Sequence, residues 1–322
     1  MSARQPRVVI LAGGLSHERD VSIRSGRRVA EALRSTGVEV TVHDVDGDLV
    51  PALTEVRPDL VWPLLHGASG EDGSVRDVLE LLDLPYLGTD PRASRVAFSK
   101  PVAKTVIRRS SQLSTPDYVT LPQSLFRELG APRVLDAVVA KLGLPLVVKP
   151  AKGGSALGVS FVTEADDLPR AMVECFAYGD TALIEKAVIG SELAVSVVDT
   201  GDGPRALPAV EIVTDGPYDY DARYNAGRTE YFAPARLDAD TAARAGEAAI
   251  AAHVALGLRH VSRTDMILTP EGRIEFLEVN VAPGMTETSL LPQAVVASGQ
   301  ELDVLYRELV DAALSTRVAL TV

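Results

Sequence analysis

The sequence predicts an α/β protein built from three successive segments, the first of them a parallel, doubly wound sheet. Three observations carry this. The N-terminal stretch alternates short apolar runs with helix-length amphipathic ones, the pattern of βα units. The glycine-rich, lysine-bearing run Lys149-Pro-Ala-Lys152-Gly-Gly-Ser155-Ala-Leu-Gly158 lies between two apolar runs and does not open a helix. Further on, Arg263-Thr-Asp265-Met-Ile-Leu and Ile274-Glu-Phe-Leu-Glu278-Val-Asn280 flank the polar turn Thr269–Arg273 and read as a β-hairpin.

Taken in order, Val8–Leu11 is a buried strand leading to Gly13-Gly14, and a helix runs from about Val21 to Thr36. Val38–Val45 and Leu60–Leu65 are strands, Asp77–Leu82 is helical, and Tyr86-Leu-Gly is a short strand. Ligands of such sheets bind at the carboxyl ends of the strands, where Gly13–Glu18 and His66–Gly73 fall. The second segment has a helix around Pro101–Arg109 and the strand Leu146–Pro150, then the glycine loop and the strand Val159–Thr163. A helix near Leu168–Phe176 and the strand Ala182–Glu185 complete it. The third carries strands, a tyrosine-rich loop from Asp215 to Glu230, a helix over Ala242–Leu256, the hairpin and a last helix over Leu302–Leu314. The expected domains are 1–88, 89–185 and 186–322, packed closely with ligands in the clefts between them.

A net charge of −12 over 322 residues argues against a nucleic-acid surface. The single cysteine, Cys175, excludes an internal disulfide and fits a reducing compartment; its helix-like surroundings point to core packing. The first apolar run is too short for a signal sequence or a membrane span, so the expectation is a cytoplasmic protein.

Centring the hairpin between Glu271 and Gly272 sets Asp265 opposite Glu278, with Asn280 on the same face as Glu278. Like charges opposite one another destabilise a sheet unless a cation lies between them. Two carboxylates and an amide suit Mg²⁺, which leaves its other positions to water and phosphate oxygens; a solvated hairpin face is the other reading. The glycine loop offers backbone N–H groups and lysines to a phosphate, or is a plain hairpin turn. It lacks the Gly-Lys-Ser/Thr ending of a Walker loop, and Gly13-Gly14-Leu-Ser16 lacks the full dinucleotide pattern. At that first loop, Glu18 attracts a cation such as an ammonium, or Ser22 and its acidic neighbours simply cap the helix. His66 is either part of a cleft or a buried, satisfied histidine.

In this order the motifs resemble the D-alanine–D-alanine ligases of the ATP-grasp superfamily. Those that carry the resemblance include Gly13-Gly-x-Ser-x-Glu-Arg-x-Val-Ser22, His66-Gly-x-x-Gly-Glu-Asp-Gly73 and Lys149-Pro-Ala-x-x-Gly-Ser155. Tyr218-Asp-Tyr-x-x-x-Tyr224, Arg263-x-Asp265 and Glu278-x-Asn280-x-x-Pro-Gly-Met-Thr286 continue it over nearly the whole chain. The resemblance implies a three-domain ATP-grasp fold with a Rossmann-like N-terminal domain. It implies ATP and two Mg²⁺ ions (Mn²⁺ as a substitute), D-alanine as substrate, no nucleic-acid or membrane partner, and a homodimer.

By the same resemblance, Lys100 and Lys149 hold the ATP phosphates, with the Lys152–Gly158 loop folding over them. Glu185 and Glu192 serve the adenine and ribose ends, with Arg223 beside the nucleotide. Asp265, Glu278 and Asn280 ligate the metals. Glu18 accepts the ammonium of the first D-alanine, near His66, in a hydrogen-bonded triad with Ser155 and Tyr224. Arg263 and the Gly284 N–H form an oxyanion hole, and Ser289 and Leu290 contact the second amino acid. The implied chemistry is formation of an acyl phosphate followed by attack of the second amine. Three positions depart from the family pattern: Ala156 replaces a serine, Arg223 a lysine and Val281 a threonine. They leave open a paralogue acting on another amino acid, or a nucleotide sensor without turnover. Tyr224 in a short loop argues against D-lactate as second substrate.

Overall fold

The computed structural model of the chain describes residues 4–214 and 229–320. Its strands are β1 (Arg7–Leu11), β2 (Glu39–His43), β3 (Leu60–Pro63), β4 (Tyr118–Pro122), β5 (Leu146–Pro150), β6 (Ser160–Val162) and β7 (Thr181–Lys186). They continue with β8 (Ser191–Val198), β9 (Arg205–Ala206), β10 (Val210–Thr214), β11 (Thr229–Phe232), β12 (Val261–Leu268) and β13 (Ile274–Asn280).

The first sheet is parallel, in the order β2-β1-β3. Tyr86 makes only a single parallel bridge to Val61, short of a strand. Because β1 is covered on both faces beyond Arg7, its residues Val8–Leu11 are apolar without a break. Val8 and Ile10 point into one core, Val9 and Leu11 into another that contains Leu53 and Leu79. The helix Arg19–Ser35 packs on the first of these faces through Ser22, Ser25, Gly26, Val29, Ala30 and Leu33, a stripe at helical spacing. That core does not stop at the first sheet. It takes in Leu291, Leu305, Tyr306 and Leu309 from the helices Leu290–Ala297 and Leu302–Leu320, and Ala194 and Val198 from β8. Trp62 meets Tyr306 edge to face, with ring centroids 5.6 Å apart. The last helices therefore tie the third sheet to the first.

The second sheet, β4-β7-β5-β6, is antiparallel and is covered by the helices Ala131–Leu142 and Leu168–Phe176, with Cys175 in the core between them. The sequence reading passes over β4 and the helix Ala131–Leu142. β4 is a short edge strand in which only Val119 and Leu121 pack on the core while Thr120 and the terminal Pro122 are exposed, so two apolar residues before a proline give too brief an alternation to read. The third sheet runs β11-β10-β8-β12-β13, with β9 on β8. The helix Ala239–Ala255 covers it, with Ala245, Ala248 and Ala249 against Leu193, Val195 and Met266.

Candidate active site

The hairpin of β12 and β13 sets the register of the site. Its turn closes through Gly272 N–H to Thr269 O (2.9 Å) and Thr269 N–H to Arg273 O (2.8 Å). Beyond the turn Leu268 faces Ile274 and Met266 faces Phe276, which centres the hairpin on Glu271, half a residue from the expected point. A β-bulge between Asp265 and Met266 then takes up one extra residue on β13, Leu277. Past it, Asp265 faces Glu278 and Arg263 faces Asn280, as the sequence reading requires. Without the bulge, Asp265 would face Leu277.

Each carboxylate of this face has a cation. Arg263 grips Asp265 in a two-pronged pair, Nε to Oδ1 at 2.7 Å and Nη2 to Oδ2 at 2.8 Å. Lys100 Nζ lies 3.1 Å from Glu278 Oε2 and donates to Gly153 O at 2.6 Å, so it joins the hairpin to the glycine loop. Asn280 Oδ1 accepts from Ala282 N–H at 2.8 Å. Among the described residues no three His, Cys, Asp or Glu side chains gather into a protein-only metal cage. Two facing carboxylates and an amide on one face of the hairpin fit the donor chemistry of Mg²⁺, whose remaining positions phosphate oxygens and water would fill.

The glycine loop joins the antiparallel strands β5 and β6. Lys100 N–H donates to Ala151 O (2.9 Å), and Ser99 bridges Lys152. Ser155 takes positive φ (52°), and its hydroxyl donates to Glu18 Oε1 across the cleft. Glu18 begins the helix Arg19–Ser35 without a side-chain cap bond. Ser22 does not cap that helix either. Its Oγ accepts from Gly13 N–H (2.8 Å) and donates to Leu64 O (2.6 Å), fastening the ends of β1 and β3.

His66 and Glu71 lie buried beside Glu18. Burial pushes the His66 imidazole below its ordinary pKa, against the pull of Glu18. Gly70 carries no side chain because a Cβ there would lie 2.2 Å from Leu65 O. The wholly buried Arg76 donates to Gly70 O and so holds this loop. Gly284 is also confined, though less tightly and by a side chain, since a Cβ would come within 2.7 Å of Ser289 Oγ. That Oγ accepts from Thr286 N–H at 3.0 Å.

These groups line two adjacent cavities. One of about 490 Å³ has Lys149, Lys152, Phe161, Ile189, Glu192 and Asp265 in its walls. One of about 120 Å³ has Glu18, His66, Arg263, Asn280, Gly284, Ser289 and Leu290. Lys100, Gly153, Gly154 and Glu278 border both. Arg223 and Tyr224 lie outside the described residues.

The comparisons with known proteins bear on the same span. Residues 107–311 match the family described as D-ala D-ala ligase C-terminus. A D-alanine–D-alanine ligase of Desulforudis audaxviator is 40% identical over 307 residues, covering 94% of this chain and 97% of its own length. That of Gloeobacter violaceus is 40% identical over 312 residues, covering 96% and 99%. This chain belongs to the D-alanine–D-alanine ligase family. Among solved structures, the D-alanine–D-alanine ligase from Bacillus anthracis complexed with ATP superposes with a TM-score of 0.83 at 29% identity, over 98% of this chain and 99% of that one. A D-Ala:D-Ser ligase from Enterococcus faecalis gives 0.82 at 26% identity, over 96% and 100%. The fold is that of the ATP-grasp ligases.

Within this ligase the structure adds residues that the sequence reading left without a role. Lys104 is wholly buried, with Nζ 2.9 Å from Glu185 Oε2, 2.7 Å from Thr115 Oγ1 and 3.3 Å from Phe276 O. Lys149 pairs with the other oxygen of Glu185. Burial lowers Lys104 to about 8 despite Glu185. Burial also opposes the charge on Lys149, but Glu185 and Glu278 outweigh it and hold this lysine above its ordinary value. Burial opposes the charge on Glu185 too, and its two lysines overcome that and hold it below the usual carboxylate range. The Glu185 carboxylate thus serves the lysines. Helical spacing on Lys100–Ser110 was the available sign for Lys104, four residues after Lys100.

Glu71 is the second addition. Burial, reinforced by Glu18, raises its carboxyl to about 8, so it is mostly protonated at neutral pH. The folded protein holds this proton where the unfolded chain has lost it. The associated stability is fully present below the unfolded carboxyl pKa and is lost as pH rises through about 8. Urea unfolding of the ligase and of Glu71→Gln at pH 5 and pH 9 is expected to move in favour of the glutamine variant at the higher pH. A difference that stays constant with pH contradicts the assignment.

Proposed function

We propose that the ligase joins two D-alanine molecules to D-alanyl-D-alanine at the expense of ATP, through an acyl phosphate. The observation that carries this reading is that the two cavities adjoin at Lys100 and Glu278, which line both, so that a carboxylate in the smaller one would meet the terminal phosphate of a nucleotide in the larger. ATP extends along the larger cavity, with its adenine end toward Lys186 and Ile189, its ribose toward Glu192 and its phosphates toward Lys149 and Lys100. Glu185 acts through the lysines that its carboxylate holds.

The first D-alanine sets its ammonium against Glu18, and its carboxylate attacks the γ-phosphate, releasing ADP. Asp265, Glu278 and Asn280 would hold Mg²⁺, which neutralises charge on the phosphates when bound. The amine of the second D-alanine attacks the acyl carbon once it has lost a proton. Arg263 and the Gly284 N–H stabilise the tetrahedral oxyanion, and the C–O bond to phosphate then breaks. Ser289 and Leu290 meet the second amino acid. The Ser155–Glu18 bond holds the glycine loop closed and keeps water from the acyl phosphate. Residence in the cytoplasm, supply of peptidoglycan precursor and assembly as a homodimer belong to the same proposal. The lone Cys175 is consistent with a reducing compartment.

The test of the mechanism uses D-alanine labelled with ¹⁸O in its carboxylate. An acyl phosphate carries one labelled oxygen into the released phosphate. Phosphate free of label during dipeptide formation contradicts the intermediate.

A further inference from the structure

We infer that Ser25 is a positioning residue for the oxyanion-binding turn, acting with His66 through a closed ring of hydrogen bonds. The inference rests on the ligase reading, in which Gly284 donates its N–H to the oxyanion. Ser25 lies in the helix Arg19–Ser35 and is fully buried. Met285 N–H donates to its Oγ at 3.1 Å. The same Oγ lies 3.4 Å from His66 Nε2, and His66 Nδ1 lies 3.0 Å from Ala282 O.

The direction of every bond follows from one carbonyl. Ala282 O only accepts, so Nδ1 carries the proton. Burial keeps the imidazole neutral, which leaves Nε2 as an acceptor. Ser25 must then donate to Nε2, and its oxygen is free to accept from Met285. The ring leaves the turn at Ala282 and returns to it at Met285, with Gly284 between the two. Both nitrogens of His66 are engaged by it, so this histidine holds the turn and does not act as an acid or base on substrate. The neighbouring Ser22 spends its hydroxyl on fastening β1 to β3, accepting from Gly13 N–H and donating to Leu64 O. The two serines on one helix face thus have separate tasks, and only that of Ser25 reaches the reaction centre.

Ser25→Ala removes the hydroxyl and adds no atom. Amide hydrogen exchange over the segment 282–290 of the substrate-free protein is expected to quicken about tenfold, because Met285 N–H loses its acceptor. In turnover on D-alanine, kcat is expected to fall about tenfold while KM for Mg·ATP stays within about twofold. Affinity for a phosphinate dipeptide analogue, tetrahedral at the reacting centre, is expected to fall by the same factor as kcat. Unchanged exchange overturns the ring whatever the activity. A fall in kcat without a matching loss of phosphinate affinity overturns the positioning role. If Ser25→Ala does not fold, Ser25→Cys, which keeps the volume with a weaker donor and acceptor, is read by the same measurements. Wild-type turnover on D-alanine tests the ligase reading by itself, and the variant-to-wild-type comparison tests this one.

Discussion

Glu185→Gln is expected to destabilise the protein by about 3–5 kcal/mol in urea unfolding, the cost of removing one partner from a buried ionic cluster. The carboxylate is nearly inaccessible and stands between Lys104 and Lys149, both buried. Removing its charge strands two ammonium groups in the interior. Lys104, already lowered to about 8, is expected to surrender its proton first. Lys149 retains Glu278 as a more distant counter-charge. Lys104→Met should cost less than Glu185→Gln, because Glu185 keeps Lys149 and the new side chain is apolar. A loss below about 1 kcal/mol for Glu185→Gln, the range of exposed pairs, would contradict the account. Where the variant stays folded, KM for ATP is expected to rise, since Lys149 loses the group that aims it.

Arg263→Ala is expected to lower kcat by about 10²–10³, the usual effect of deleting one oxyanion donor. A second loss is built into the geometry. Arg263 holds both oxygens of Asp265, so its removal frees a carboxylate proposed to ligate Mg²⁺, and KM for Mg·ATP should rise as well. Arg263→Lys keeps the charge without the planar fork and is expected to recover little of the activity. Steady-state kinetics with both substrates varied separates the two effects. A kcat within about tenfold of wild type for the alanine variant would remove Arg263 from the reaction centre.

How much of this was legible in the sequence depends on whether the signal was local. The parallel first sheet was readable because β1 is buried on both faces and therefore apolar at successive positions. The glycine loop was readable because positive φ and close backbone approach restrict residue choice. The facing of Asp265 and Glu278 was read from a hairpin centre half a residue out, and the bulge at Leu277 made up the difference. Nothing in the local pattern announces that bulge.

The Lys104–Glu185–Lys149 cluster was hidden for another reason. Its members come from a helix and two strands far apart in sequence, and a buried lysine looks like a surface one until the fold encloses it. Ser25 was hidden likewise, because its partners lie 41 and 260 residues away. Its place on the buried stripe of the helix signalled burial and nothing of its partners. The shared core of the first and third sheets escaped for the same reason, since Trp62 and Tyr306 carry no mark of each other.

The most direct measurement of the central claim is mass analysis of the products formed from Mg·ATP with D-alanine as the sole amino acid. The account predicts D-alanyl-D-alanine, with one ADP and one phosphate for each dipeptide. ATP bound but not consumed, or consumed only when a different second amino acid is supplied, would contradict it.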